Sequence, residues 1–488
     1  MSRGVRRVQD VFPRWLSTYP VVTYILALMV VSFMYSAYSL PWYYMLSGTV
    51  AVLVFFLLGS TMATRTSINK IHKAKLFERR IFLIAFIPRV LFMLLLYWIF
   101  QANYGDVLGF ENQDALFYLE VGEEFADAIG NDKFSEVWKS TNETVDISDL
   151  GYVTYVGFIY WLTGKSVIVL RLIKCLLSSL TVILIYRLAK RNFDEQTARM
   201  AAIFCALWPN FWYYCAVHLK ETEMVFLSVL FVEQADQMLK SRQFTAWKVV
   251  PVLLIAAALF TFRSPLAYVA LLALVFSVVM SSSKVITWGK RIIVGFLAVL
   301  LVGLIAGDML EEKARELIEN QSKQQESGIT FYATRKDNSG NQQSFAKYAG
   351  TAVFAPMIFT LPFPSMIRPF EGQEQQQLQN GGNFAKNIMS CFTIFALIMM
   401  LMSGKWREHL LPLSFTLGYL AVLALSSFAH SERFHQPTMP FEFMFAAYGL
   451  SIAVTKPKYK RWFTYWCILM FVGTIAWNWF KLKGRGII

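Results

Sequence analysis

Apolar residues gather along this chain into long blocks separated by short polar connections. Thirteen such runs can be traced: Val21–Tyr38, Tyr43–Ser60, Ile81–Phe100, Val167–Tyr186, Met200–Val217, Met224–Leu239, Val249–Phe262, Pro265–Met280, Ile292–Ala306, Ile388–Met402, Leu410–Ala429, Pro437–Val454 and Trp462–Phe480. Crossing about 30 Å of hydrocarbon takes roughly 20 apolar residues in a helix. Several runs fall short of that, so the pattern predicts eleven to thirteen transmembrane helices. Lipid tolerates only backbone that satisfies its own hydrogen bonds, and the fold class expected is an all-α polytopic membrane protein.

Two hydrophilic blocks, residues 101–150 and 307–387, interrupt the runs and divide the chain. Residues 1–100 hold three membrane helices, and 101–166 an acidic outer loop with interfacial helices. Residues 167–306 hold the central helices, 307–387 a second outer loop, and 388–488 the C-terminal helices. The aromatic stretch from Gly151 to Gly164 is too short to cross and ends in glycine. It reads as a helix at headgroup level, or as half of a hairpin within the membrane. Pro356, Pro362, Pro364 and Pro369 break the apolar piece from Ala352 to Phe370, which therefore reads as interfacial rather than spanning.

Composition agrees with the pattern. Of 488 residues, 56% are hydrophobic and 16% charged, against about 45–50% and about 25% in soluble domains. The net charge of +14 would suggest a nucleic-acid partner in a soluble chain. Here the bases sit in short loops, Arg65 to Arg80, Arg187 to Arg199, Lys240 to Lys248, Lys284 to Arg291 and Lys456 to Arg461, which marks those loops as cytoplasmic and leaves no call for nucleic acid. Thirteen spans then put Lys481, Lys483 and Arg485 outside, so either one span is miscounted or the last helix disobeys the rule. Arg3, Arg6, Arg7 and Arg14 precede the first run without a small-residue cleavage site, so that run is expected to be a retained span. The five cysteines lie in or beside apolar runs without metal-ligand spacing. No Walker A loop, HExxH or GxSxG motif is present.

Candidate chemistry lies on the outer side. Residues 101–150 carry twelve acids against two lysines. Among them Asp114 stands four residues before Tyr118, on one face of a helix, where a carboxylate at a cavity rim can serve as general base. His218, Lys220 and Glu221 open directly into an apolar run, and ionisable groups there are expected to face a cavity rather than lipid. Arg263, Arg368 and Arg433 lie at outer positions that the positive-inside rule does not favour, and the guanidinium fork suits phosphate.

The order of these features resembles the GT-C superfamily of integral-membrane glycosyltransferases, in the polyprenyl-phosphate-sugar-dependent branch that includes protein mannosyltransferases and the aminoarabinose transferase of lipid A. The resemblance runs from Phe110 to Tyr268, with weaker echoes at Pro362–Phe370 and Arg433–Pro440. It is carried by Asp114 with Tyr118, by Leu162-Thr163-Gly164-Lys165-Ser166 with Arg171, by Tyr186 to Arg191, by Met200 to Pro209 and by Glu221. This chain differs in having two extra spans before the acidic loop and no large soluble C-terminal domain. The resemblance implies a GT-C-like bundle with its site at the outer membrane face and inverting sugar transfer from a polyprenyl-phosphate donor to a hydroxyl of a glycan, lipid or protein. It implies Asp114 as catalytic base and Glu221 as second acid. Tyr118, Lys220, His218, Arg263, Arg368 and Arg433 are then expected to bind substrate or lipid phosphate. No cofactor is certain; Mg²⁺ or Mn²⁺ on Asp114 and Glu221 is compatible with oxygen ligation. The expected location is an integral position in a bacterial inner membrane, with the site facing the periplasm or exterior. Two rivals stand beside this reading: a polymerase or ligase of lipid-linked polysaccharide, in which the arginines dominate, and a transporter or flippase for a lipid or anionic solute, which predicts inverted repeats that the chain lacks.

Overall fold

The structure is a computed structural model that describes residues 12–68, 74–111, 113–131, 133–241, 246–280, 296, 358–360, 362–369, 374–425, 431–454 and 458–484. The run Ile292–Ala306 and most of the second hydrophilic block lie outside the described residues. The chain is all-α, with no strand among the described residues; one antiparallel bridge joins Ser39 to Ile367. Six helices are long and apolar enough to cross a membrane, and Val249–Phe262, Ser264–Met280 and Met439–Ala453 are shorter apolar helices.

The N-terminal helices are α1 (Arg14–Met34), α2 (Trp42–Leu53), which passes through one π-helical turn into α3 (Gly59–Ile68), and α4 (Ala74–Tyr104). The acidic block folds as α5 (Gln113–Gly130), α6 (Phe134–Thr144) and α7 (Ile147–Thr163). Helix α7 ends at Gly164, whose φ of +66° is the left-handed cap that glycine adopts without penalty. Its small residues fit a tight crossing: a Cβ on Gly157 would lie 2.4 Å from the Phe125 side chain of α5.

Helix α8 (Val167–Asn192) joins the two ends of the molecule. The run Met200–Val217, expected to be one span, is broken at Trp208 into α9 (Glu195–Leu207) and α10 (Pro209–Ala216). Pro209 cannot donate to the preceding turn, so the last carbonyls of α9 need other donors. Arg89, buried in the middle of α4, supplies them, donating to Cys205 O at 3.0 Å and Ala206 O at 3.1 Å, and also to Ser178 Oγ at 3.0 Å. A cation at a helix C-terminus is favoured by the helix dipole as well.

Helices α11 (Glu221–Lys240), α12 (Val249–Phe262) and α13 (Ser264–Met280) complete the central group. The C-terminal group contains α14 (Gln375–Leu378), α15 (Asn380–Met402), α16 (Leu410–Leu425), the single turn α17 (Glu432–His435), α18 (Met439–Ala453) and α19 (Lys458–Gly484). Helix α15 begins two turns before the run at Ile388, with Asn380, Asn383, Lys386 and Asn387 all buried.

The two ends of the bundle differ in chemistry. At one end Arg187 pairs with Glu78 at 2.8 Å, Arg191 with Glu233 at 3.0 Å and Asp236 at 2.6 Å, and Lys240 with Asp236 at 2.9 Å. The other end carries the acidic helices and the candidate residues. Helix α19 finishes at this second end, where Asn478 donates to Pro364 O at 3.1 Å and Lys481 to Ser365 Oγ at 3.0 Å. Lys481 and Lys483 therefore lie at the end that carries the candidate residues, opposite the basic cluster.

Candidate active site

Three distant stretches of chain meet at one guanidinium. Asp114 lies in the first turn of α5, Glu221 is the first residue of α11, and Arg433 sits in the turn α17. Arg433 Nη1 donates to Asp114 Oδ2 and Nε donates to Glu221 Oε1. Asp114 is half-exposed, whereas Glu221 is buried. Burial works against the Arg433 charge, but Glu221 and then Asp114 more than offset it, and the guanidinium pKa is raised.

Arg263 belongs to the same neighbourhood. It follows the last residue of α12, and its guanidinium lies 4.6 Å from the centre of the Phe434 ring, with Arg433 at 6.0 Å from that ring. Two cations therefore flank one aromatic side chain, a favourable cation–π arrangement. Arg368 lies instead on the segment 362–369, where it is exposed and its backbone N–H donates to Tyr38 O.

The turn bearing Arg433 is held from below. Glu432 is buried and accepts from Asn210 Nδ2 at 2.7 Å, from Tyr214 OH at 2.8 Å and from Gln436 Nε2; Tyr214 OH in turn accepts from Gln379 Nε2 at 3.0 Å. Lys386 meets His435 Nδ1 at 2.6 Å. Burial pushes the Glu432 carboxyl up to about 7, even though Asn210 and Tyr214 favour its charge.

Lys220 and Tyr118 are held by contacts within the protein, while both ring nitrogens of the buried His218 have no hydrogen-bond partner among the described residues. The Lys220 ammonium donates to Ser148 O at 2.7 Å, to Phe262 O at 2.9 Å and to Asp149 Oδ1. Those contacts account for all three of its N–H groups. Tyr118 OH also donates to Asp149 Oδ1, at 2.6 Å. The three residues tie α5, α7, α12 and the start of α11 together behind Asp114 and Glu221. Burial, then the Lys174 and Arg171 charges, hold His218 well below the usual histidine range, so its ring is neutral. Its backbone N–H donates to Glu111 Oε2 at 2.6 Å, and Glu111 pairs with Arg171 at 2.9 Å.

Asp114 and Glu221, the acids open to a divalent ion, are both engaged with Arg433 in this structure. Arg433 stands between Asp114 and Glu221, and among the described residues no group of three His, Cys, Asp or Glu side chains comes together for a metal. These two acids hold the Arg433 guanidinium between them.

Sequence reading missed Arg89, Asp149, Glu432, Gln436 and Lys386. An arginine inside an apolar run is itself a signal, and Arg89 was detectable on that ground. Glu432 and Gln436 flank the selected Arg433, but nothing in the local sequence says that they face Asn210 and Tyr214.

Residues 154–306 match the family model described as dolichyl-phosphate-mannose-protein mannosyltransferase. No curated protein matches, and no solved structure does. The matched stretch contains His218, Lys220, Glu221 and Arg263, while Asp114 and Arg433 reach the site from either side of it. Over that stretch the chain is similar to a family of membrane mannosyltransferases, and six of its described helices are long and apolar enough to cross a membrane.

Proposed function

We propose that the protein transfers a sugar from a polyprenyl-phosphate donor to an acceptor hydroxyl on the non-cytoplasmic face of the membrane, with Asp114 as general base. The observation that carries this reading is the Arg433 guanidinium between Asp114 and Glu221. A dolichyl-phosphate-mannose family match supports a lipid-linked donor and a glycan or protein acceptor. The basic opposite end of the bundle supports an outward-facing site by the positive-inside rule.

In this reading the donor phosphate sits against Arg433 and Arg263, whose planar donors match its oxygens. The acceptor hydroxyl gives its proton to Asp114 as its oxygen bonds to the anomeric carbon. The bond from that carbon to the phosphate oxygen breaks, and the lipid phosphate leaves with the electron pair. A single displacement inverts the anomeric centre. The arginines stabilise the charge that grows on the leaving phosphate. Glu221 holds Arg433 from the buried side, so the cation stays fixed while Asp114 works at the half-exposed rim.

The test is lipid-phosphate release by the full-length protein in lipid nanodiscs, supplied with polyprenyl-phosphate sugars and an acceptor. Asp114→Asn is expected to lower turnover about 10²- to 10⁴-fold, the usual contribution of a general base, with the melting temperature within a degree or two of the parent. Full turnover in that variant would remove Asp114 from the chemistry.

A further inference from the structure

Behind Arg433 lies a small cleft with a cavity volume of about 10 Å³, room for one water-sized group, lined by Glu221, Thr222 and Val225 of α11, Tyr214 of α10, Ser178 of α8 and Gln436. Two oxygen acceptors on its wall are buried and lack donors: Glu221 Oε2 and Gln436 Oε1. Both residues are almost fully buried, at 1% and 0% exposure. Their orientations are determined by their other halves. Glu221 Oε1 is held by Arg433, which leaves Oε2 on the far side of the same carboxylate. The Gln436 amide nitrogen donates to Glu432, which leaves its oxygen turned away from that acid. Buried acceptors are nearly always paired, and leaving one without a donor is costly.

We propose that this cleft is a sugar-recognition subsite, in which Glu221 Oε2 and Gln436 Oε1 receive one polar substituent of the transferred sugar: an ammonium, which can donate to both, or a hydroxyl, which gives its single proton to one of them. The inference rests on the donor reading given above and deepens it. The Glu221 carboxylate links the two parts: one oxygen braces the guanidinium assigned to the phosphate, and the other faces the cleft. A sugar joined to that phosphate is thereby brought beside Glu221, which also lines the cleft. The cleft is too small for a whole hexose ring, so it selects a single polar substituent. Gln436 is thereby a specificity-determining residue, and Thr222 and Val225 shape the space around it.

Binding to the full-length protein in nanodiscs tests this, using undecaprenyl phosphate alone, undecaprenyl-phosphate mannose and undecaprenyl-phosphate 4-amino-4-deoxyarabinose. At least one sugar-bearing lipid is expected to bind about tenfold more tightly than the bare lipid phosphate, the effect of one hydrogen bond to a charged acceptor. The arm that shows the gain tells hydroxyl from ammonium. Gln436→Met removes one acceptor, and Val225→Phe fills the cleft without touching a polar group. Each is expected to cut the sugar-dependent gain to less than threefold. Melting of each ligand-free variant reports its folding, and either variant that melts as the parent does carries the test. The inference is overturned if neither sugar lipid outbinds bare undecaprenyl phosphate, or if the gain survives in a folded variant. Failure of bare undecaprenyl phosphate to bind would sink the donor reading itself, a separate result.

Discussion

At the residue scale the central fact is that one arginine serves two carboxylates of unequal exposure. Breaking a largely buried ion pair leaves an uncompensated charge, which typically costs about 3–5 kcal/mol. Arg433→Gln is therefore expected to lower thermal stability markedly, and pairing it with Glu221→Gln to recover much of the loss, since the buried carboxylate is then neutral too. A lysine has one ammonium on a flexible stem and cannot span both acids as the fork does, so Arg433→Lys is expected to weaken polyprenyl-phosphate binding more than it weakens folding. Melting curves and lipid titrations separate the two effects. Glu432, next in the chain, gives a pH-dependent counterpart. Its folded pKa of about 7 stands above the usual carboxylate value, so the native state holds the proton more tightly than the unfolded chain. The stability of the parent relative to Glu432→Gln should thus fall as pH rises from about 4.5 to 7 and then level off. A difference that grows over that interval would show Glu432 to be ionised in the fold.

At the scale of helices, close approach places the site. Helix α18 crosses α15 so closely that a Cβ on Gly449 would lie 2.1 Å from the Phe392 carbonyl oxygen. Gly449→Ala must push backbone from backbone, and a loss of about 1–3 kcal/mol is expected, the usual cost of overpacking, measured as a drop in melting temperature. Helix α18 follows directly after the Arg433 turn, so the same change should also lower transfer. The α9–α10 break is the second device. It brings Asn210 and Tyr214 of α10 onto Glu432, and Arg89 satisfies the carbonyls that the break exposes. The apolar run from Met200 to Val217 announced a helix and Pro209 announced an interruption, but the partner that makes the interruption tolerable sits more than a hundred residues earlier.

At the scale of the whole molecule, single helices carry the polarity from end to end. Helix α8 holds Lys174 near the candidate site and Arg191 in the opposite ion-pair cluster, about 25 Å apart at 1.5 Å per residue. Helix α11 likewise runs from Glu221 to Asp236 and Lys240. Its apolar run Met224–Leu239 is bounded by Glu221 and Glu223 at one end and interrupted by Glu233 and Asp236 toward the other. The charge asymmetry predicts a single orientation. A cysteine placed at the exposed Glu124 should react with a membrane-impermeant maleimide on intact cells, and one at the exposed Lys405 only after permeabilisation. The native cysteines provide a low background, since Cys175, Cys205, Cys215 and Cys467 are buried and Cys391 is half-buried.

The sequence by itself determined the all-helical membrane class, the acidic block at one end, the basic loops at the other, and the residue types suited to sugar-phosphate chemistry. These follow from hydrophobic run length and the cost of burying charge, which are properties of local composition. It also singled out Asp114, Glu221, Arg263 and Arg433 as chemically capable. Only the tertiary structure decided that Arg433 bridges Asp114 and Glu221, that Arg368 lies against the turn after α1, and that Lys220 and Tyr118 both meet Asp149. Those outcomes depend on which helices cross and how closely, and so on contacts between residues up to 319 positions apart, which no local pattern encodes.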